Sequence, residues 1–193
     1  MRWTRKSELG RKLIHLSSIL LIFLYNIIDK YYDKTIALFS LTVVLIGALI
    51  YEYLRLRLKM KLPLSEFARF REKNKHTGLI YSVSGIVISF AVFDYNVALA
   101  AVLMGIFGDL VVGLLHGFRN DVFIGRKRRN ASELIVEFIV NFTVGIIVLH
   151  NVFIVLMMAM VATAIEAMFE NEDNLAIPLF SGFFGQILFW LIK

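Results

Sequence analysis

The sequence contains no cysteine, which excludes disulfide bonds and thiolate metal sites. It also shows no tandem repeat, no low-complexity tract and no stretch that resembles an extramembrane domain. What it has in excess is apolar character: 59% of the residues are hydrophobic, whereas a soluble domain has about 45–50%. The mean hydropathy is +0.73. This composition is typical of a polytopic membrane protein.

The apolar residues form seven runs of about the length that crosses a bilayer. The sequence therefore predicts a single integral membrane domain over residues 1–193, an all-α bundle of about seven transmembrane helices. Closed barrels are excluded because the runs are too long and too continuously apolar for barrel strands. The first run follows a basic stretch, as in a signal peptide, but no small-residue cleavage site follows, so we expect a retained helix. The predicted spans are roughly 13–29, 35–54, 78–94, 96–117, 132–150, 152–169 and 175–192.

The cations are concentrated in three segments, 1–12, 55–77 and 118–130, which hold all but three of the 21 lysines and arginines. With seven spans and a cytoplasmic N-terminus, these segments all face the cytoplasm, as the positive-inside rule requires. A nucleic-acid partner is not expected, because no soluble platform presents the charge. The predicted location is a multi-pass membrane protein of the cell membrane, or of the endoplasmic reticulum in a eukaryote.

Several ionisable side chains fall inside the predicted spans, where they are costly and are therefore functional candidates. Each lies about one or two helical turns from the cytoplasmic edge. Such a layer predicts a shallow polar cavity that opens towards the cytoplasm. These residues are His15, Glu52, Asp109, Glu133, Glu137 and Glu166.

Two of the carboxylates are in contexts that suit a divalent cation. Asp109 follows Gly108, and small neighbours allow a ligand or another backbone to approach closely. Mg²⁺ is typically held by one or two carboxylates together with substrate phosphates. Glu133 begins a helix whose Glu137 and Asn141 follow on the same face at a spacing of four. The alternatives are a structural carboxylate paired with a buried Arg or Asn, and a structural polar seam.

Basic residues flank these candidates and could bind phosphate. Four consecutive cations, Arg126 to Arg129, lead into the helix that carries Glu133, and a helix N-terminus attracts phosphate. Arg11 and Lys12 precede His15 on one side of the first helix. Further cations occupy the segment 69–75. Attraction to anionic lipid and membrane topology are the alternative explanation for such cations.

The acidic run FENEDNLAIPL, residues 169–179, separates the last two predicted spans. Asp173 and Asn174 are expected to cap the last helix, with Pro178 limiting its first turn. A solvated turn would account for Glu170 and Glu172. It accounts less well for Asp173 and Asn174, which we therefore interpret as part of an active-site loop at the membrane edge.

Five segments, in this order, resemble the motifs of the dolichol kinase and phytol kinase group. This group comprises CTP-dependent kinases of polyprenols and other lipid alcohols, and it is related to the membrane cytidylyltransferases. The last segment is the most diagnostic, because it is similar to E-x-x…D-D-N-L-x-(I/V)-P-L. Where the group has K-S-x-E-G, this chain reads N-A-S-E-L. The segments are ELGRKLIHLSS, RFREKNKHTGLIYSVSG, GIFGD, RKRRNASELIVEF and AIEAMFENEDNLAIPL.

The resemblance implies a membrane kinase that phosphorylates a dolichol-like lipid alcohol with CTP and Mg²⁺ at the cytoplasmic face. The implied partners are a membrane lipid and a nucleoside triphosphate, and a homo-oligomer is compatible with the sequence. The alternatives are a cytidylyltransferase that makes a CDP-activated lipid, and a non-catalytic or ion-conducting protein. The implied catalytic residues are His15, Asp109, Glu133, Asp173 and Asn174; the metal ligands are Asp109, Glu133, Glu166 and Asp173; and the phosphate-binding residues are Arg11, Lys12, Arg71, Lys73, Arg128 and Arg129.

Overall fold

The computed structural model describes residues 16–58, 76–115, 122–124, 127–129, 131–169 and 172–192, with only the backbone described for 113–115, 122–124 and 127–129. Its long elements are all helices, as the sequence predicts. Four of them, α2, α4, α5 and α7, are long and apolar enough to cross a membrane. The helices are α1 (Ile19–Tyr31), α2 (Lys34–Arg57), α3 (Gly78–Val92), α4 (Tyr95–Leu115), α5 (Ala131–Leu149), α6 (Val152–Met168) and α7 (Asp173–Ile192).

Two short strands, which the sequence did not predict, lie in the connection between α4 and α5. They are β1 (Val122–Ile124) and β2 (Lys127–Arg129), paired antiparallel with Phe123 opposite Arg128. β1 consists of Val, Phe and Ile, which favour strands because they fit a pleated surface. The backbone of β2 also contacts α6. The basic run is therefore partly ordered against the helical bundle.

The chain divides into two compact units, with the boundary between Val87 and Ile88, inside α3. The single domain expected over 1–193 stays a prediction. In the first unit, α1 and α2 form a helical hairpin. Asp33 caps α2, its Oδ1 accepting the amide of Ile36 at 2.8 Å. A side-chain cap of this kind satisfies one of the amides that have no partner within the helix.

α2 extends further towards the predicted cytoplasmic side than the sequence indicated. It ends at Arg57 instead of near residue 54, so Arg55 and Arg57 belong to the helix and not to a loop. Arg55 is buried, with 9% of its surface exposed. Its charge is satisfied within α2, which is why this cation does not need the aqueous phase.

In the second unit, α4 is the central helix. In the most apolar 18-residue stretch of each helix, 61% is buried for α4, 22% for α5 and 39% for α7. It packs against α5, α6 and α7. The close approach depends on small residues: a Cβ at Gly145 of α5 would collide with Met104 of α4 and with Val155 of α6. Small interfacial residues are the usual means by which membrane helices pack closely.

Consecutive long helices of the second unit are antiparallel. The connections 150–151 and 169–172 are short. α4 and α5 meet at Met104 with Gly145 and at Gly108 with Asn141, so residue numbers rise along one helix as they fall along the other. α5 and α6 are joined by His150 and Asn151. His150 has φ 53°, in the left-handed region, and Asn151 caps α6 by accepting the amide of Ile154 at 3.1 Å. As a result, the C-terminal ends of α4 and α6 and the N-terminal ends of α5 and α7 lie at the same end of the unit. We call this the acidic end.

The opposite end of this unit is fastened by a long-range pair of hydrogen bonds. The side-chain oxygen of Gln186 accepts the amide of Asp94 at 2.7 Å, and its Nε2 donates to Oδ2 of Asp94 at 2.7 Å. Asp94 lies between α3 and α4, and Gln186 lies in α7. A few residues away, Gly182 of α7 leaves room for the ring of Phe93.

Candidate functional site

The acidic end of the second unit contains a layer of buried polar side chains contributed by all four of its long helices. Each is at most 7% exposed. On α5 the polar residues recur every four positions, so they share one helix face that is turned into the protein. The layer consists of Asp109 on α4, Glu133, Glu137 and Asn141 on α5, Glu166 on α6, and Asp173 and Asn174 on α7.

Asn141 is where three of these helices meet. Its Nδ2 donates to Oγ1 of Thr163 on α6 at 3.3 Å. On its other side it lies against Gly108 of α4, where an added Cβ would be 2.8 Å from Oδ1 of Asn141. The group that approaches Gly108 is the side-chain amide of Asn141, whereas the sequence suggested a ligand or another backbone; the approach of a ligand stays a prediction.

This contact fixes the relative height of the carboxylates. Asp109 follows Gly108, Glu137 is one turn from Asn141, and Glu166 is three residues beyond Thr163. Because adjacent helices are antiparallel, all three steps lead in the same direction, towards the acidic end. Glu137 and Glu166 are fully buried. Carboxylates separated by up to 57 residues in the sequence thus lie within about one helical turn of one another along the bundle.

α7 joins this layer through its contact with α4. A Cβ at Gly105 would lie 3.5 Å from Cγ of Pro178 and 3.6 Å from Cγ2 of Ile177, which is ordinary van der Waals distance. One turn towards the acidic end from these residues are Asp109 on α4 and Asp173 and Asn174 on α7. Asp109 and Asp173 are thus each about one turn from the contact between α4 and α7, and their binding of a common ion stays a prediction.

The start of α7 differs in detail from the prediction. The helix begins at Asp173, and the carbonyl of Glu172 accepts the amides of Leu175 and Ala176 at 3.1 and 2.8 Å. Oδ1 of Asp173 accepts the amide of Asn174 at 2.9 Å. Pro178 lies inside the helix and does not limit its first turn. It has no N–H, so it cannot donate the hydrogen bond that the carbonyl of Asn174 would normally receive from position 178 of a helix.

The arrangement suits a hard cation only in a particular way. No group of three or more His, Cys, Asp or Glu side chains that could hold a metal ion occurs among the described residues. An Mg²⁺ ion here would therefore use one or two carboxylates and complete its shell with phosphate oxygens and water, which is its usual preference. The ligand set of Asp109, Glu133, Glu166 and Asp173 stays a prediction.

Several predicted site residues fall outside the part of the chain that the structure describes. This applies to Arg11, Lys12 and His15 near the N-terminus, and to Arg71 and Lys73 in the segment 59–75. Only the backbone of Arg128 and Arg129 is described, in β2. Since β2 contacts α6, the segment that carries these two cations is anchored to a helix of the acidic end.

The sequence did not predict a role for Thr163, and it placed Glu52 in one layer with the other carboxylates and not in a second polar centre. Thr163 and Glu166 are the two polar residues of the apolar helix α6, and nothing in their spacing points to Asn141. At Glu52 a sequence signal did exist. Arg55 follows at i+3, the spacing at which side chains on one helix face meet, but its position among other cations suggested a loop.

Comparison of the chain with known proteins gives no match: no family model, no curated protein and no solved structure is similar to it. The likeness to lipid-alcohol kinases therefore rests on the motifs quoted above.

Proposed function

We propose that this protein is an integral membrane kinase that transfers a phosphoryl group from CTP to the hydroxyl of a membrane lipid alcohol. The observation that carries the proposal is the layer at the acidic end. This end carries the buried side chains of Asp109, Glu137, Glu166, Asp173 and Asn174 from four helices. Burying this many carboxylates in an apolar bundle is costly, and it is typical of a functional site.

We further propose seven spans with the N-terminus in the cytoplasm. Four helices meet the length and composition of a span, and α3 and α6 are apolar helices of 15 and 17 residues. In this topology the acidic end faces the cytoplasm, together with the three basic segments. A lipid hydroxyl at the headgroup level and a nucleotide arriving from the cytoplasm can then meet at the same place.

Phosphoryl transfer requires mainly the positioning of the two substrates and the neutralisation of phosphate charge. One or two of the carboxylates of Asp109, Glu133, Glu166 and Asp173 would hold Mg²⁺, and phosphate oxygens and water would complete its shell. When bound, the ion would neutralise charge on the nucleotide phosphates. The phosphates would be bound by Arg11, Lys12, Arg71, Lys73, Arg128 and Arg129. His15 would orient or deprotonate the lipid hydroxyl.

The test is transfer of label from CTP by the purified full-length protein in lipid micelles. The protein is incubated with a panel of lipid alcohols, including a polyprenol, and with CTP labelled at either the α or the γ phosphate. We expect label from the γ position in the lipid fraction. Label from the α position, with a lipid phosphate as acceptor, would identify a cytidylyltransferase instead.

Variants connect the activity to the acidic end. Asp109→Asn and Asp173→Asn are each expected to reduce transfer by at least about 100-fold, since a lost charge-stabilising group typically costs 10²–10³ in rate. The matched control is Asp29→Asn, which makes the same change at an exposed position of α1. If Asp109→Asn and Asp173→Asn behave like this control, the carboxylates serve another purpose, such as ion passage, and the kinase proposal is wrong.

A further inference from the structure

The first unit contains an open cavity of about 550 Å³ between the C-terminal part of α2 and the start of α3. None of the residues proposed above to transfer phosphate lines it. Its apolar wall is formed by Leu49, Leu56 and Ile80. Its polar rim is formed by Tyr53, Arg57 and His76, and the carboxylate of Glu52 is at its base.

The base of the cavity is a buried ion pair. Nη2 of Arg55 is 2.7 Å from Oε1 of Glu52, and Nε is 2.9 Å from Oε2. Oε1 of Glu52 also accepts the amide of Thr77 at 2.7 Å. The pair is almost fully withdrawn from solvent, with side chains 7% and 1% exposed. Glu52 thereby ties the start of α3 to α2 and fixes the shape of the cavity.

The pair also decides the charge of the cavity. Arg55 neutralises Glu52 through two charge-assisted hydrogen bonds, a strong and geometrically specific arrangement. Arg57 therefore contributes a positive charge that Glu52 does not neutralise, and its side chain is exposed. His76 lines the same cavity as Arg57. Its side chain is 58% exposed, and its Nδ1 is 3.8 Å from Oε1 of Glu52. The described rim is therefore cationic and rich in hydrogen-bond donors, which matches an anion.

The apolar wall matches a hydrocarbon chain. α2 is one of the helices that can cross a membrane, and the cavity lies along its last two turns. The wall continues into the exposed apolar surface of the same helix, where Ile46, Leu49 and Ile50 are each about half exposed. A ligand that spans both parts must be an amphiphile with an anionic head, placed where the span reaches the headgroups.

We propose that this cavity binds an anionic membrane lipid, with its phosphate at Arg57 and His76 and the first part of its acyl chain against Leu49, Leu56 and Ile80. A nucleotide fits less well, because much of the lining is aliphatic: Leu49, Leu56 and Ile80. No carboxylate of the second unit lines this cavity. The proposal does not depend on phosphoryl transfer by that unit.

Lipid binding is measured by native mass spectrometry on the full-length protein in neutral detergent. Dioleoyl phosphatidic acid is the probe, and dioleoyl phosphatidylcholine has the same chains without net charge. We expect phosphatidic acid to bind at least about five-fold more tightly. Arg57→Gln should weaken its binding by about five-fold, the effect expected for one cation near a membrane surface. Arg57→Gln combined with His76→Gln should abolish the preference.

The control variant is Lys34→Gln, which removes the same charge from the opposite end of the same helix, at an exposed residue. It should bind phosphatidic acid as the wild type does. Equal losses in Arg57→Gln and Lys34→Gln would mean unspecific attraction and would overturn the proposal. So would displacement of phosphatidic acid by inorganic phosphate or CTP, which would identify a soluble ligand. Thermal unfolding of each variant excludes misfolding as the cause of a loss.

The apolar wall is tested separately. Leu49→Trp fills the chain-binding part of the cavity and leaves the cations in place. We expect it to weaken binding of dioleoyl phosphatidic acid by several-fold, and to leave the weak binding of glycerol 3-phosphate unchanged. Undiminished binding of the dioleoyl lipid by Leu49→Trp would contradict the proposed position of the acyl chain.

Discussion

The side chain of Asn141 lies against the Cα atom of Gly108, so closely that a Cβ there would be 2.8 Å from its Oδ1. This contact holds the central helix α4 against α5. Asn141 cannot easily move away, because it is fully buried and donates to Thr163. The polar layer of the acidic end therefore depends on the absence of a side chain at position 108.

Gly108→Ala should lower the free energy of unfolding by about 1–3 kcal/mol, the usual effect of overpacking. Gly47→Ala is the matched control, because nothing lies within 4 Å of a Cβ there; it should be neutral or stabilising by up to about 1 kcal/mol. Reversible unfolding in mixed detergent micelles measures both. In a protein that already carries Asn141→Ala, the change Gly108→Ala should cost less stability, because the side chain that the new Cβ would meet is gone. If the losses of the two substitutions are strictly additive, this explanation is wrong.

Gln186→Leu should destabilise the second unit by about 1–3 kcal/mol, since the amide of Asp94 loses its acceptor and Oδ2 loses a donor. Asp94→Asn is the milder comparison, because an amide oxygen can still accept from Nε2 of Gln186. The same unfolding assay ranks the two variants. A larger loss for Asp94→Asn than for Gln186→Leu would show that the charge of Asp94, and not the hydrogen-bonded pair, matters here.

Glu52→Leu should destabilise the first unit by about 3–5 kcal/mol, because Arg55 is then left buried without its partner. The double variant Glu52→Leu with Arg55→Met should recover much of that loss, since it replaces both charges by apolar groups. The four proteins of this double-mutant cycle are compared by unfolding. A coupling energy near zero would mean that the pair contributes nothing to stability.

Gly182→Ala should cost more stability than Gly185→Ala, although both lie on the buried face of α7 and an added Cβ would collide at each. At position 182 the collision is with the rigid ring of Phe93. At position 185 it is with the thioether of Met158, whose flexible side chain can adjust. We expect a difference of at least about 1 kcal/mol between the variants. Equal losses would show that Phe93 can also move.

The proposed topology can be tested by cysteine labelling, because the chain has no native cysteine to interfere. Tyr32→Cys and Glu172→Cys each place a thiol at an exposed position in a connection between helices. With seven spans and a cytoplasmic N-terminus, an impermeant maleimide added outside intact cells should label Tyr32→Cys and not Glu172→Cys. Lysis should expose both. Labelling of both from outside would contradict the proposed topology.

The helices could be predicted from the sequence because hydropathy acts locally. Each of the seven predicted runs overlaps a described helix, and the predicted ends are mostly within a few residues of the observed ones. The inward face of α5 could also be predicted, since Glu133, Glu137 and Asn141 repeat every four residues. The positions of the helices are therefore encoded in local patterns of composition and spacing.

The partners of these residues could not be predicted in the same way. Asn141 contacts Thr163 and Gly108 because three helices pack with particular axial offsets relative to one another. No local pattern in a single sequence encodes such an offset. The same holds for Asp94 and Gln186, which are 92 residues apart. Arg55 was assigned to a cytoplasmic loop because its positive neighbours dominate the local pattern, whereas one carboxylate at i−3 is enough to keep it in the helix.

The ion pair at the base of the cavity has a consequence for biogenesis. Glu52 and Arg55 belong to the same helix, so they can pair as soon as α2 forms, before any other helix is available. The translocon would then insert a helix that carries a neutral ion pair and not two separate charges. Insertion of this segment would not have to wait for α3, whose Thr77 amide completes the arrangement only after synthesis has moved on.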